Sequence, residues 1–307
     1  MGDFRSFLTS KRGFAQPMQP VVDPAGWLPD DLRDVAAWSY RISERDIEEL
    51  AAAIAVVRRN RVPLVEVARE NFPLAGFAEI LADVRRELMD GRGIVMLRGF
   101  PVERFDREEA AIAYLGLGGY LGKTMSQNKQ GHILGHVKDL GGDYADPHTR
   151  GYMTSAEMRF HTDACDYVGL LCLRTSRSGG ESRIASSVTV YNRILERRPD
   201  LAKALTEDFY RSRSGETNAG DAAFFKQPIF SFAEGYFSAT GAGVVSSGEE
   251  CMLFRGDAPF RPGDAEASSQ IARSNAIAIA HHLPAGGSSA LSTPRHPSTL
   301  PMSCRRA

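Results

Sequence analysis

Met158-Arg159-Phe160-His161-Thr162-Asp163, followed by Val168-Gly169-Leu170-Leu171-Cys172-Leu173, is the stretch on which the reading of this chain turns. Met158 to Phe160 reads as a short strand-like run. A histidine and a carboxylate two residues apart on a strand point to the same face, because strand side chains alternate. His161 and Asp163 then present an imidazole nitrogen and a carboxylate oxygen to one divalent ion. Two-histidine-one-carboxylate triads use this arrangement and leave positions open for non-haem Fe(II) chemistry. The competing reading is a hydrogen-bonded surface pair, since His-x-Asp arises often by chance. The metal reading needs a third ligand far downstream.

The apolar run Val168 to Leu173 reads as a buried strand, with Cys172 a small core residue within it. Arg174-Thr175-Ser176-Arg177-Ser178-Gly179-Gly180-Glu181-Ser182 is a turn that returns the chain, and Ser182 to Val190 is a further strand candidate. The Ser182 hydroxyl, on the returning strand, has two readings: a contact to an acidic co-substrate beside the metal, or a solvated strand-edge serine.

Upstream, Ser43 with Asp46 resembles a capping box, and Ile42 with Ile47 has hydrophobic-staple spacing. Ile47, Leu50, Ile54 and Val57 continue at helical period. A second helix is expected from Leu74 to Asp90, with Phe77, Ile80, Leu81, Val84 and Leu88 on one stripe and Gly91 as its stop. Gly93 to Phe100 reads as a buried strand bounded by glycines, and Asp106 as the cap of a third helix through about Leu117. His132 to Val137 is a strand candidate, Pro199 to Leu205 a helix, and Pro228 to Phe232 a strand. Residues 1–40 form an irregular arm. Early helices followed by many short strands predict a β core with helices packed outside.

Beyond about Thr240 the last aromatic residue is Phe260, and Ala, Ser, Pro, Arg and Gly dominate. This text is expected to be an atypical tail, either disordered or the product of a shifted reading frame.

Composition sets outer bounds. Of 307 residues, 43% are hydrophobic and 24% charged, ordinary for a globular protein, and a net charge of −1 favours neither nucleic acid nor a membrane surface. The four cysteines show no CxxC spacing, and no run is long and apolar enough to span a bilayer, so a cytoplasmic location is expected. The glycines of Gly116 to Gly122 lack a preceding strand and a GxGxxG pattern and are not a dinucleotide site.

Phe160-His161-Thr162-Asp163, Gly169 to Leu173, Ser178-Gly179-Gly180 and Gly91 to Phe100 together resemble the TauD/TfdA family of Fe(II)/2-oxoglutarate-dependent dioxygenases. The resemblance spans roughly residues 26–240. It implies an α+β chain with a double-stranded β-helix, jelly-roll-like core and flanking helices, incomplete at the C-terminus if the tail is foreign. It implies that His161 and Asp163 bind Fe(II), and that Ser182 stands where the family often has a threonine touching 2-oxoglutarate. The reaction implied couples decarboxylation of 2-oxoglutarate to succinate and CO2 with oxidation of a small organic substrate by O2. Taurine, aryloxyalkanoates and betaines are among the family's substrates, and a homo-oligomer is compatible with it.

The family closes its site with a distal histidine and an arginine that pairs with the co-substrate's far carboxylate. His281, His282 and His296 are the candidate histidines, with Arg305 and Arg306 at the chain end, and none sits in a matching context. The alternative reading is therefore a catalytically inactive or truncated β-helix protein. A zinc hydrolase using the same residues lacks a helical His-Glu-x-x-His motif. Asn128, in the polar run Ser126 to His132, has a substrate-contact reading and a surface-loop reading. His132 and His136 are expected to share a strand face beside a pocket or at a core rim, and His148 to be exposed in a turn.

Overall fold

The computed structural model describes residues 12–126, 131–137, 141–142, 160, 162–163, 165–174, 182–212, 222, 224–240, 266–268, 276–281, 289–292 and 298–305. The arm crosses the surface irregularly, makes two short 3-10 turns at Pro29–Leu32 and Val35–Trp38, and enters β1 (Ser39–Arg41).

Helix α1 (Glu44–Arg59) starts where the sequence places it. The Ser43 hydroxyl accepts from the Asp46 amide at 3.2 Å, and the Asp46 carboxylate accepts from the Ser43 amide at 2.7 Å. Two orphan amides are thereby satisfied. Helix α2 (Gly76–Asp90) ends at Gly91 and buries Phe77, Leu81, Val84 and Leu88. Strand β2 (Ile94–Arg98) follows, then α3 (Arg107–Leu121), capped by Asp106 and running four residues past the predicted end. The glycines of that last turn are packing devices: a Cβ at Gly119 would lie 2.7 Å from the Arg69 backbone nitrogen.

The remaining elements are β3 (Lys123–Met125), β4 (Tyr167–Arg174), β5 (Arg183–Ser186), α4 (Ser187–Arg197), α5 (Pro199–Ala204), β6 (Phe209–Ser212), β7 (Phe224–Gln227), β8 (Phe230–Ala233) and β9 (Tyr236–Ala239). Past residue 240 come β10 (Glu266–Ser268), β11 (Ala276–His281), β12 (Ser289–Ser292) and β13 (Ser298–Arg305). A six-stranded sheet runs β1-β2-β11-β4-β13-β3, and a three-stranded sheet runs β10-β5-β12. Strand β11 is antiparallel to both β2 and β4, and so joins two strands distant in sequence.

Alternation along β2 and β4 divides the core. Val95, Leu97, Tyr167 and Leu171 pack with residues of α1, α2 and α3. Ile94, Met96, Val168 and Leu170 point the other way, to Ile184 of β5 and to Trp27 and Trp38 of the arm. Gly169 allows the first face to close, because a Cβ there would lie 2.6 Å from the Tyr114 hydroxyl of α3. A third cluster joins α4, α5 and the β8–β9 hairpin, with Tyr191 5.2 Å from Phe230 and 5.0 Å from Phe237, ring centre to ring centre.

Two expectations are corrected. Ser182 to Val190 is not one strand: β5 stops at Ser186, whose hydroxyl accepts from the Thr189 amide at 3.0 Å and caps α4. His132 to Val137 is not a strand either, being bent at Ile133 and Leu134 with a single bridge at Val137.

Candidate metal centre

Asp163 lies in irregular backbone four residues before β4, and its side chain is exposed. Phe160 is in a bend, while Met158, Arg159 and His161 lie outside the described residues, so the i, i+2 strand geometry rests on sequence alone. From Asp163 the chain reaches Cys165, whose thiol donates to the Tyr167 carbonyl at 3.3 Å. That contact tightens the turn into β4, where Tyr167 and Val168 are buried.

Ser182 is 7% exposed at the start of β5. The solvated strand-edge reading is thereby excluded. A buried hydroxyl carries a polar group into a region where hydrogen bonds are strengthened by the low local dielectric. Cys172 is buried in β4, and burial pushes its thiol pKa up, as for an inert core cysteine.

Of the strands past residue 240, β11 and β13 both finish beside the first residue of β4. In the backbone register His281, the last residue of β11, lies opposite Tyr167, and Cys304 of β13 lies opposite Tyr167 from the other side. Arg305 follows, paired with Lys123. Strand β12 runs antiparallel to β5, with Ser292 opposite Arg183. His282, His296 and Arg306 lie outside the described residues, as do Asn128 and His148. Among the described residues, no three His, Cys, Asp or Glu side chains group closely enough to hold a metal ion.

Of His132 and His136, the second contacts α3. His132 and His136 are both exposed, and the Arg107 guanidinium approaches the two His136 ring nitrogens at 3.2 and 3.1 Å. Burial, and then the Arg107 charge, lower the His136 pKa. The Arg107–His136 contact ties this loop to α3, and the expected shared strand face does not exist.

No helix among the described residues is long and apolar enough to cross a membrane. The family model described as "Taurine catabolism dioxygenase TauD, TfdA family" matches residues 60–285. The chain is 28% identical over 221 residues to FR-33289 synthase of Streptomyces rubellomurinus, a match covering 72% of this chain and 65% of that protein. It is 26% identical over 194 residues to the taurine hydroxylase-like protein SAT17 of Stachybotrys chartarum, covering 61% of this chain and 50% of that one. The chain thus spans less than two thirds of the length of either relative. Among solved structures, an asparagine oxygenase in complex with Fe(II), 3-hydroxyasparagine and succinate superposes with a TM-score of 0.63 at 15% identity, over 88% of this chain and 93% of that one. The non-haem iron oxygenase OrfP, in complex with Fe and α-ketoglutaric acid, gives a TM-score of 0.57 at 13% identity, over 87% and 94%. These similarities show a shared fold of strands and flanking helices.

Proposed function

The chain belongs to the TauD/TfdA family of dioxygenases, and from that premise we propose that it is an Fe(II)- and 2-oxoglutarate-dependent dioxygenase acting on a small organic substrate. The observation that carries the proposal is the family match over residues 60–285. The two sheets, clasped by tail strands and backed by helices on one face, support a double-stranded β-helix as the scaffold.

His161, Asp163 and His281 would hold the metal. Two imidazoles and a carboxylate are the donor set that Fe(II) oxygenases use, and the β11–β4 register supports bringing His281 to the end of the sheet that Asp163 leads into. Fe(II) bound there supplies the redox chemistry by which substrate, O2 and 2-oxoglutarate become oxidised substrate, succinate and CO2. The protein's share is orientation. Ser182 donates from a buried position to a co-substrate carboxylate, and Arg305 is the described cation nearest in register to that end of β4. The substrates of the solved neighbours, asparagine for one, support a small polar molecule as the class.

Anaerobic addition of Fe(II) and 2-oxoglutarate to the purified chain tests this. The expected result is a visible metal-to-ligand charge-transfer band that disappears in His161→Ala and in His281→Ala. Folded protein without a band in the parent chain overturns the proposal.

A further inference from the structure

We propose that Trp27, in the arm ahead of the family-matched residues, is a positioning residue for the loop that carries Asp163. The inference rests on the assignment of Asp163 to the metal centre. Trp27 is 2% exposed and is held by one hydrogen bond at its indole and one at its backbone. Its Nε1 donates to the Arg92 carbonyl at 3.1 Å, and its own carbonyl accepts from Thr189 Oγ1 at 2.8 Å. Two residues earlier, the Ala25 carbonyl accepts from Ser186 Oγ at 2.5 Å. The arm therefore ties the start of β2 to the junction of β5 and α4, four residues after Ser182.

The indole lies in the cluster of Ile94, Met96, Val168, Leu170, Ile184, Leu32 and Trp38, and Cys165 packs against that cluster. Cys165 is two residues from Asp163, and its thiol is also bonded to the Tyr167 carbonyl. Residue 165 is thus held by packing on one side and by a hydrogen bond on the other. The wall it packs against is built in part by a segment that the family match does not include. Ligand groups need a supported shell to stay in productive geometry, and loosening the support weakens metal affinity without removing a ligand.

The test uses the full chain in two states. In the metal-free protein, iodoacetamide labelling of each cysteine is followed by peptide mass spectrometry. Trp27→Ala is expected to speed labelling of Cys165 about tenfold, while buried Cys172 stays protected and Trp27→Phe restores most of the protection. With Fe(II) and 2-oxoglutarate added anaerobically, the same variant is expected to bind the metal about tenfold more weakly. Phe237→Leu, in the separate cluster beneath the β8–β9 hairpin, supplies the comparison: it lowers the thermal midpoint but moves neither readout. Unchanged Cys165 labelling in folded Trp27→Ala overturns the proposal, as does an affinity loss equal to that of Phe237→Leu. Cys165 exposed by Trp27→Ala in a parent chain that shows no charge-transfer band supports the packing role and overturns the dioxygenase reading alone.

Discussion

Glu87 and Arg92 form an ion pair in which both side chains are buried, 0% and 2% exposed. Glu87 Oε1 accepts from the Arg92 amide at 3.1 Å and from Arg92 Nη1 at 2.9 Å, and the same Nη1 donates to the Ala37 carbonyl at 2.9 Å. Burial raises the Glu87 pKa and lowers that of Arg92, and each partner offsets the shift of the other. The pair locks the α2–β2 turn to the arm at the point where Trp27 docks. Removing one charge leaves the other buried and uncompensated, so Glu87→Gln is expected to cost about 3 kcal/mol. Urea unfolding measures it. Exchange of both residues for apolar ones of similar volume is expected to restore most of the loss, because the desolvation penalty disappears with the charges.

At the scale of elements, the start of α1 couples a cap to a titration. The Tyr40 hydroxyl donates to Asp46 at 2.8 Å, and Asp46 also receives the Ser43 amide and hydroxyl, both at 2.7 Å. Burial, with the Asp46 carboxylate as acceptor and negative neighbour, pushes the Tyr40 pKa from 10.0 up to about 12. A pKa raised on folding contributes stability that is whole below the unfolded value and is lost as pH climbs to the folded one. Stability is therefore expected to fall between pH 10 and about 12, and Tyr40→Phe to lessen that fall. Unfolding curves across the window read it out. This cap was legible in the sequence because Ser43, Asp46 and the apolar period that follows agree with one another. Ser186 was not, because Val188 and Val190 favour a strand by propensity. The helix prevails through the Ser186 cap and the burial of Val188, Tyr191 and Ile194 at helical spacing. The proposed metal role of His161 and Asp163 was suggested by donor chemistry alone, since the strand geometry assumed for them is not found among the described residues. Trp27 had no such signal, since an arm without periodicity does not announce what it packs against.

At the scale of the molecule the question is what closes the sheet. The change of composition near residue 240 suggests a unit spanning 41–240 with a separable tail, yet the family match runs on to residue 285. In the fold, β11 fills the gap between β2 and β4, pairing Ala276–Ala280 with one and Ile277–His281 with the other. Strand β13 separates β4 from β3, and β12 flanks β5. Without these strands β2, β4 and β5 each present unpaired backbone groups, and a buried group left unpaired costs about 1–3 kcal/mol. The newly open edges also offer templates for association between chains. Pro301 argues in the same direction. A proline lacks the amide a central strand needs, but β13 is bonded to β3 only at Ser303–Arg305, so Pro301 has β4 alone beside it, at Leu170. Strand β13 thus places its proline where one partner strand suffices. A chain ending at Thr240 is accordingly expected to aggregate under conditions that keep the full chain monodisperse in size-exclusion chromatography. A monodisperse 1–240 chain with the near-ultraviolet circular dichroism of the full protein would instead show that the sheet closes without its tail. A charge-transfer band in that shorter chain would require its third ligand from within residues 41–240, where His132, His136 and His148 are the only histidines besides His161.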